Sequence, residues 1–245
     1  MGLKNSLKNV IEKSIGVSIF KKVPFGIDQF ADIRNSMQSY RIDTVVDVGS
    51  NTGQSALAMI DKLPDAIIHC VEPSYETYLN LSQNLREHEK VICHNVAIGD
   101  CNGELELFHG ENDSSMCTLN KPADNRAIAN IVAMKSFDSF CEENGIGHVS
   151  YLKIDTEGYD LNVLKGAERL LSEQKVDFVE VEAGMNPRNS YHVPLQDMKV
   201  FLEARGYLMF GMYDQVQEWI DKKPYLRRCD AVFISSTLSD RHSLL

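Results

Sequence analysis

From Thr44 onward the chain alternates short apolar runs with longer stretches whose apolar residues recur at helical spacing. Thr44–Val48 (TVVDV) reads as a buried strand, residues 54–63 as a helix and Ala66–Val71 as a second strand. A helix over 75–87 and a third strand at Val91–Ile98 follow. Runs apolar at successive positions fit strands covered on both faces, so this βαβαβ rhythm predicts a parallel sheet with helices on each side. The middle is less regular. Gly103–His109 (GELELFH) alternates like an exposed strand, residues 111–130 read as a loop, and Ile131–Met134 as another strand. The rhythm resumes with Tyr151–Ile154, a helix over 159–171, Val176–Val181 and a helix over 196–205. Strands at Tyr207–Met212 and Ala231–Ser235 then predict an antiparallel hairpin at one edge.

Residues 1–41 stand apart as a helical extension, and residues 42–245 as one α/β domain. Leu3, Leu7, Val10, Ile11, Ile15 and Ile19 fall on one helical face with Lys4, Lys8 and Lys13 interleaved. Pro24 and Gly26 end that helix, and Phe30, Ile33, Met37 and Tyr40 mark a second. The first helix is expected to pack on the domain or on a second copy of the chain, as in a homo-oligomer. Contact with a membrane surface, or a lid over the site, is the alternative.

Composition narrows the class of partner. At 245 residues, 43% hydrophobic and 24% charged, the chain fits a single globular domain. A net charge of -10 has the wrong sign for a phosphate-binding surface, so no nucleic-acid partner is expected. The six cysteines form no CxxC pair and no zinc spacing, and read as reduced thiols of a cytoplasmic protein. No apolar run reaches the ~18 residues of a transmembrane segment.

Candidate chemistry concentrates at strand ends. Asp47-Val48-Gly49-Ser50-Asn51-Thr52-Gly53 follows the first strand, where an open α/β sheet binds ligands. Gly49 and Gly53 are expected to let the backbone turn and approach a ligand. Glu72, at the end of the second strand, suits both hydroxyls of a ribose. A dinucleotide site would carry GxGxxG, but the pattern here is GxNxG. No pyrophosphate cradle is evident, so S-adenosyl-L-methionine fits better than NAD, with Asp47 placing its amino-acid moiety.

These segments resemble the FkbM family of methyltransferases. The resemblance runs through VVDVGSNTG, CVEPSYETYLNLSQNL, HNVAIGDCNGELELF, KSFDSFCEENGI, YLKIDTEGYDLNVLKGAERLL and VDFVEVE to a final GY-containing strand. The KIDTEGYD…VLKGA block is its most specific part. The resemblance implies a Rossmann-like class I methyltransferase fold, with a seven-stranded, mostly parallel sheet and an antiparallel edge strand. It also implies methionine-side contacts near Asp47, Gly49, Asn51 and Gly53, ribose contact by Glu72, and adenine contact near Asn95 and Ala97. Ser114 and Ser115 occupy a loop where the family often places small polar residues. The implied reaction is O-methylation of a sugar or sugar-bearing small molecule.

The reacting end has its own physical signature. Lys153 sits in a strand expected to be buried on both faces, where an unpaired ammonium is costly. Asp155 falls on the same side, and Glu180 and Glu182 share one face of the next strand, so a lysine–carboxylate cluster is expected. Asp155, Glu182 and His192 are candidate bases for an acceptor hydroxyl. Asp155, Glu157 and Glu182 equally suit a divalent metal, and spacing leaves the two chemistries open. A nicotinamide-dependent oxidoreductase and a non-catalytic S-adenosylmethionine-binding scaffold are the competing functions.

Overall fold

A computed structural model describes residues 22–109, 117–118, 128–220 and 222–242, together with positions 11, 14, 16 and 20. The helix expected over residues 3–19 therefore lies, apart from three positions, outside the described residues, as do Ser114 and Ser115. In chain order the elements begin α1 (Gln29–Ser36), β1 (Thr44–Val48), α2 (Gln54–Lys62), β2 (Ile67–Val71), α3 (Tyr75–Leu85) and β3 (Val91–His94). Then come β4 (Ala97–Gly99), β5 (Gly103–His109), β6 (Cys117–Thr118), β7 (Ile128–Ser136), α4 (Phe137–Glu143) and β8 (Val149–Ile154). The last are α5 (Asp160–Gly166), α6 (Glu168–Ser172), β9 (Val176–Gly184), α7 (Leu195–Glu203), β10 (Tyr207–Glu218), β11 (Lys223–Ser235) and α8 (Ser236–Arg241).

The main sheet has seven strands in the order β10-β11-β9-β8-β1-β2-β3. β3, β2, β1, β8 and β9 are parallel. The central residues of β1, β8 and β9 are buried on both faces, which is why the sequence is so apolar there. One face packs Val46, Leu152 and Val179 against α4 to α7, and the other packs Val45, Tyr151 and Phe178 against α1 to α3. α1 belongs to this second core. Asp28 caps it by accepting from the Phe30 and Ala31 N–H groups, and the Phe30 ring lies 5.0 Å from that of Tyr151. The chain reverses direction across the sheet between β1 and β8, and that switch point opens the cleft described below.

Three expectations are corrected. The run Val91–Ile98 is two strands: after His94 the chain leaves the main sheet, and Ala97–Gly99 pairs with β7 in a second sheet of order β4-β7-β5-β6. An apolar run does not reveal a change of hydrogen-bond partner. The helix expected over 159–171 breaks at Ala167. A Cβ on Gly166 would stand 1.8 Å from the Gly99 carbonyl oxygen, so α5 lies hard against β4. The antiparallel hairpin expected at one edge is present, with β11 paired to β9 and β10 outermost. Both hairpin strands also run longer than expected, because their polar ends (Asp214, Gln215, Gln217; Arg227, Arg228) read as loop. No helix among the described residues is long and apolar enough to cross a membrane.

Candidate active site

The cleft lies over the carboxyl ends of β1, β2 and β8. Its apolar wall is Val71, Pro73, Val96, Ala97, Ile98 and Leu107, and its polar side includes Gly49, Asn51, Glu72, Asp155 and Glu157. Glu72 is 7% exposed; one carboxylate oxygen accepts the Asn51 N–H at 3.1 Å and the other the Ser74 N–H at 2.9 Å. Each oxygen keeps a second acceptor position, which suits a vicinal diol. Burial raises the Glu72 carboxyl to about 7 against those two bonds.

The loop between β1 and α2 is built by protein contacts. Gly49 has φ +89°, and a Cβ there would stand 1.9 Å from the Asp155 carbonyl oxygen. Gly53 has φ +97°, and its missing Cβ faces Leu81 and Leu85 of α3, 3.1–3.3 Å away. Both glycines therefore make room for the protein itself, not for a ligand, and Gly53 does not line the cleft. Asp47 lies beneath the loop, fully buried, and neither carboxylate oxygen has a hydrogen-bond partner among the described residues. Burial pushes it up to about 6, with the Lys153 ammonium opposing.

Asn95 is corrected as well. It does not line the cleft; its amide donates to the carbonyl oxygens of Glu72 (2.9 Å) and Pro73 (3.0 Å). Ala97 does line it.

At the reacting end, strand register places Asp47, Lys153 and Glu180 side by side on β1, β8 and β9. Lys153 Nζ donates to Asp155 Oδ2 at 2.8 Å. Burial opposes the ammonium, yet Asp155, Asp47 and Glu180 together raise its pKa. Burial likewise pushes Asp155 up, but Lys153 pulls it below the ordinary carboxylate value. Asp155 is thus a weak base held as the partner of Lys153.

Glu182 is clamped between Arg228 Nη1 on one oxygen (2.6 Å) and His192 Nε2 on the other (2.8 Å). His192 is buried and oriented by Asn189, whose Oδ1 accepts from the Tyr191 and His192 N–H groups and whose Nδ2 donates to the Arg227 carbonyl. That arrangement turns Nδ2 toward His192 Nδ1 at 2.9 Å and assigns the ring proton to Nε2, facing Glu182. His192 in this state donates and is not a free base. Glu157 lies 4.0 Å from His192 Nε2; burial and the nearby Glu182 and Asp155 carboxylates raise its pKa to about 7.

One oxygen each from Glu157 and Glu182 and a ring nitrogen of His192 lie within 4.8 Å of one another. Among the described residues this trio is a set that could hold a divalent cation, and binding would require loss of the Nε2 proton. Sequence reading missed Asn189, Arg228 and Asp230. The spacing Asn189-x-x-His192 was the available signal for the first. The other two fell just outside a strand expected to start at Ala231.

Residues 47–209 match the methyltransferase FkbM domain, which is more than half of the chain. The chain belongs to this family. Membership carries S-adenosylmethionine as cofactor and removes the nicotinamide reading. Among curated proteins, this FkbM-family chain is 22% identical over 150 residues to the 2-O-methyltransferase NoeI of Sinorhizobium fredii, covering 56% of this chain and 62% of NoeI. It is 26% identical over 148 residues to the hexuronic acid methyltransferase AglP of Haloferax volcanii, covering 60% of this chain and 59% of AglP. The chain thus spans about three fifths of the length of the curated relatives it matches. Among solved structures, Aeropyrum pernix fibrillarin with bound S-adenosyl-L-methionine superimposes with TM-score 0.47 at 11% identity, covering 79% of this chain and 67% of fibrillarin.

The residues present fit that cofactor. Glu72 offers two acceptor oxygens to the ribose, the apolar wall around Ala97 suits adenine, and the orphaned Asp47 carboxylate complements a positively charged donor across the loop. Asn95 anchors the end of β2 through its amide. Asn95→Ala should therefore change S-adenosylhomocysteine affinity by less than about threefold while lowering stability by about 1 kcal/mol, both measurable by calorimetry.

Proposed function

We propose that this chain transfers a methyl group from S-adenosylmethionine to a hydroxyl of a saccharide or a sugar-bearing small molecule. The observation that carries this reading is Glu157, a carboxylate with a pKa near 7 lining the same cleft as the ribose-binding Glu72. The cofactor supplies an electrophilic methyl group when bound. Glu157 receives the hydroxyl proton as the new C–O bond forms and the methyl–sulfur bond breaks. A base with a pKa near the working pH combines a large ionised fraction with enough strength to accept that proton. Lys153 and Asp155 fix each other beside it. The Arg228–Glu182–His192 network, with His192 4.0 Å from Glu157, braces that carboxylate so that the hydroxyl meets the methyl in line. The name of AglP, a hexuronic acid methyltransferase, supports a saccharide acceptor, and that of NoeI, a 2-O-methyltransferase, supports transfer to oxygen.

The test is calorimetry with S-adenosylhomocysteine, followed by methyl transfer to a panel of glycosides with and without EDTA. Micromolar binding with transfer to at least one glycoside is expected. Binding without any transfer would favour a scaffold, and loss of transfer with EDTA would reinstate the Glu157–Glu182–His192 trio as a metal centre.

A further inference from the structure

A second cavity adjoins the cofactor cleft on the α1 face of the sheet. Ser55 lines both, and Lys153 on the cavity floor bonds Asp155 in the cleft wall. Residues 26–30 roof it; they precede the part of the chain that matches the family domain. The roof is tied down: the Gln29 amide donates to Glu180 at 3.2 Å, the Gly26 N–H to Asp32 at 2.7 Å, and Tyr213 OH to Asp32 at 3.1 Å.

The lining combines flat apolar surface from Phe30 and Met59 with carboxylates of Glu180, Asp214 and Asp230. This is the mixture that grips a sugar ring: apolar faces for its C–H groups, acceptors for its hydroxyls. The cations within reach are engaged. Lys62 pairs with Asp28 at 2.9 Å and Lys153 with Asp155. Arg228 lies 2.6 Å from Glu182 and only 3.8–3.9 Å from Asp230 and Asp214. Three carboxylates thus face the space with no uncommitted cation among the described lining residues. Burial and the nearby Glu180, against the Lys153 ammonium, raise the Asp230 carboxyl to about 8, so near neutral pH it meets the space mainly as the neutral acid.

Taking the proposed sugar O-methylation as its basis, we infer that this cavity is the acceptor site, that the segment before the family domain sets its specificity, and that it selects a neutral or amino sugar over a uronic acid. A uronate carboxylate would enter beside like charges, whereas neutral hydroxyls donate to them. The hexuronic acid in the name of AglP would then not be the acceptor class here.

The experiment measures kcat/KM of the full chain, with S-adenosylmethionine, on p-nitrophenyl glucoside, galactoside, fucoside, glucosaminide and glucuronide. At least one neutral or amino glycoside should exceed the glucuronide by about tenfold, the effect of one poorly screened like-charge contact. Asp214→Asn, which removes a rim charge and tolerates the positive φ of 41° at that position, should narrow the gap. Gln29→Ala should raise the acceptor KM roughly fivefold, as loss of one hydrogen bond does, with S-adenosylhomocysteine affinity unmoved. A glucuronide turned over as well as the others, or acceptor KM values indifferent to both variants while sugars are methylated, would overturn this inference alone. Intact cofactor binding with no glycoside methylated would overturn the saccharide reading and this inference with it.

Discussion

Glu72→Ala should weaken S-adenosylhomocysteine binding by about 100-fold, since two hydrogen bonds to a buried carboxylate are worth roughly 1.5 kcal/mol or more each. The same carboxylate holds the Asn51 and Ser74 N–H groups, so the variant should also melt at lower temperature than the parent. Glu72→Gln separates the two effects, because the amide keeps one acceptor oxygen for the backbone but places a donor where the second hydroxyl should donate. The pH dependence has a definite sign. In the free protein the carboxyl titrates at about 7, above the ordinary 4.5, because burial penalises its charge. Ionising it costs the free fold stability as pH rises from about 4.5 through 7, and hydroxyl donors from a ribose favour the ionised form. Affinity should therefore climb between pH 6 and 7.5 and level off above, with proton release on binding near pH 6.5. Glu72→Gln should lose that slope. Titration calorimetry in two buffers of different ionisation enthalpy reads both quantities. An affinity within threefold of the parent in Glu72→Ala would remove this residue from the cofactor site.

The parallel half of the fold was legible because its residues obey one rule at a time. Val45, Val46 and Val48 are buried, and the sequence spells them as an apolar run broken only by Asp47. Lys153 announced the cluster around it, since an ammonium in such a strand requires carboxylates, and register supplied Asp47 and Glu180 beside it. What the sequence concealed depends on contacts distant along the chain. Asn95 carries no mark that its amide turns back onto the end of β2. Gly49 looks like a gap for a ligand until the Asp155 carbonyl is found in the place of its Cβ. Asp155 and Glu157, two residues apart on one loop, were indistinguishable as acids. Only the ammonium beside the first and the carboxylates around the second drive their pKa values in opposite directions. The roof formed by residues 26–30 was hidden for another reason: it lies in the extension, where no family pattern guides the reading.

That divergence between the two acids yields the largest expected effect on turnover. Glu157→Gln should lower kcat by roughly 10² to 10³, the usual range for removing a positioned base, with S-adenosylhomocysteine affinity changed by less than about threefold. Glutamine is the right replacement, because Glu157 has φ +54° and a side chain of the same length isolates the lost proton acceptor from any change in shape. In the parent, kcat/KM should fall as pH drops below about 7, where Glu157 becomes protonated, and the variant should lack that limb. Asp155→Asn should behave differently. Removing the hydrogen-bonded partner of Lys153 leaves a buried ammonium with less compensation from Asp47, Glu180 and Asp230, so stability and turnover should drop together. Single-turnover rates with the best glycoside, read beside thermal melts, separate the two patterns. If Glu157→Gln keeps kcat within about fivefold of the parent and retains the acidic limb, the proton leaves by another route, and Asp230, at about 8 on the wall of the adjoining cavity, is the group to test next.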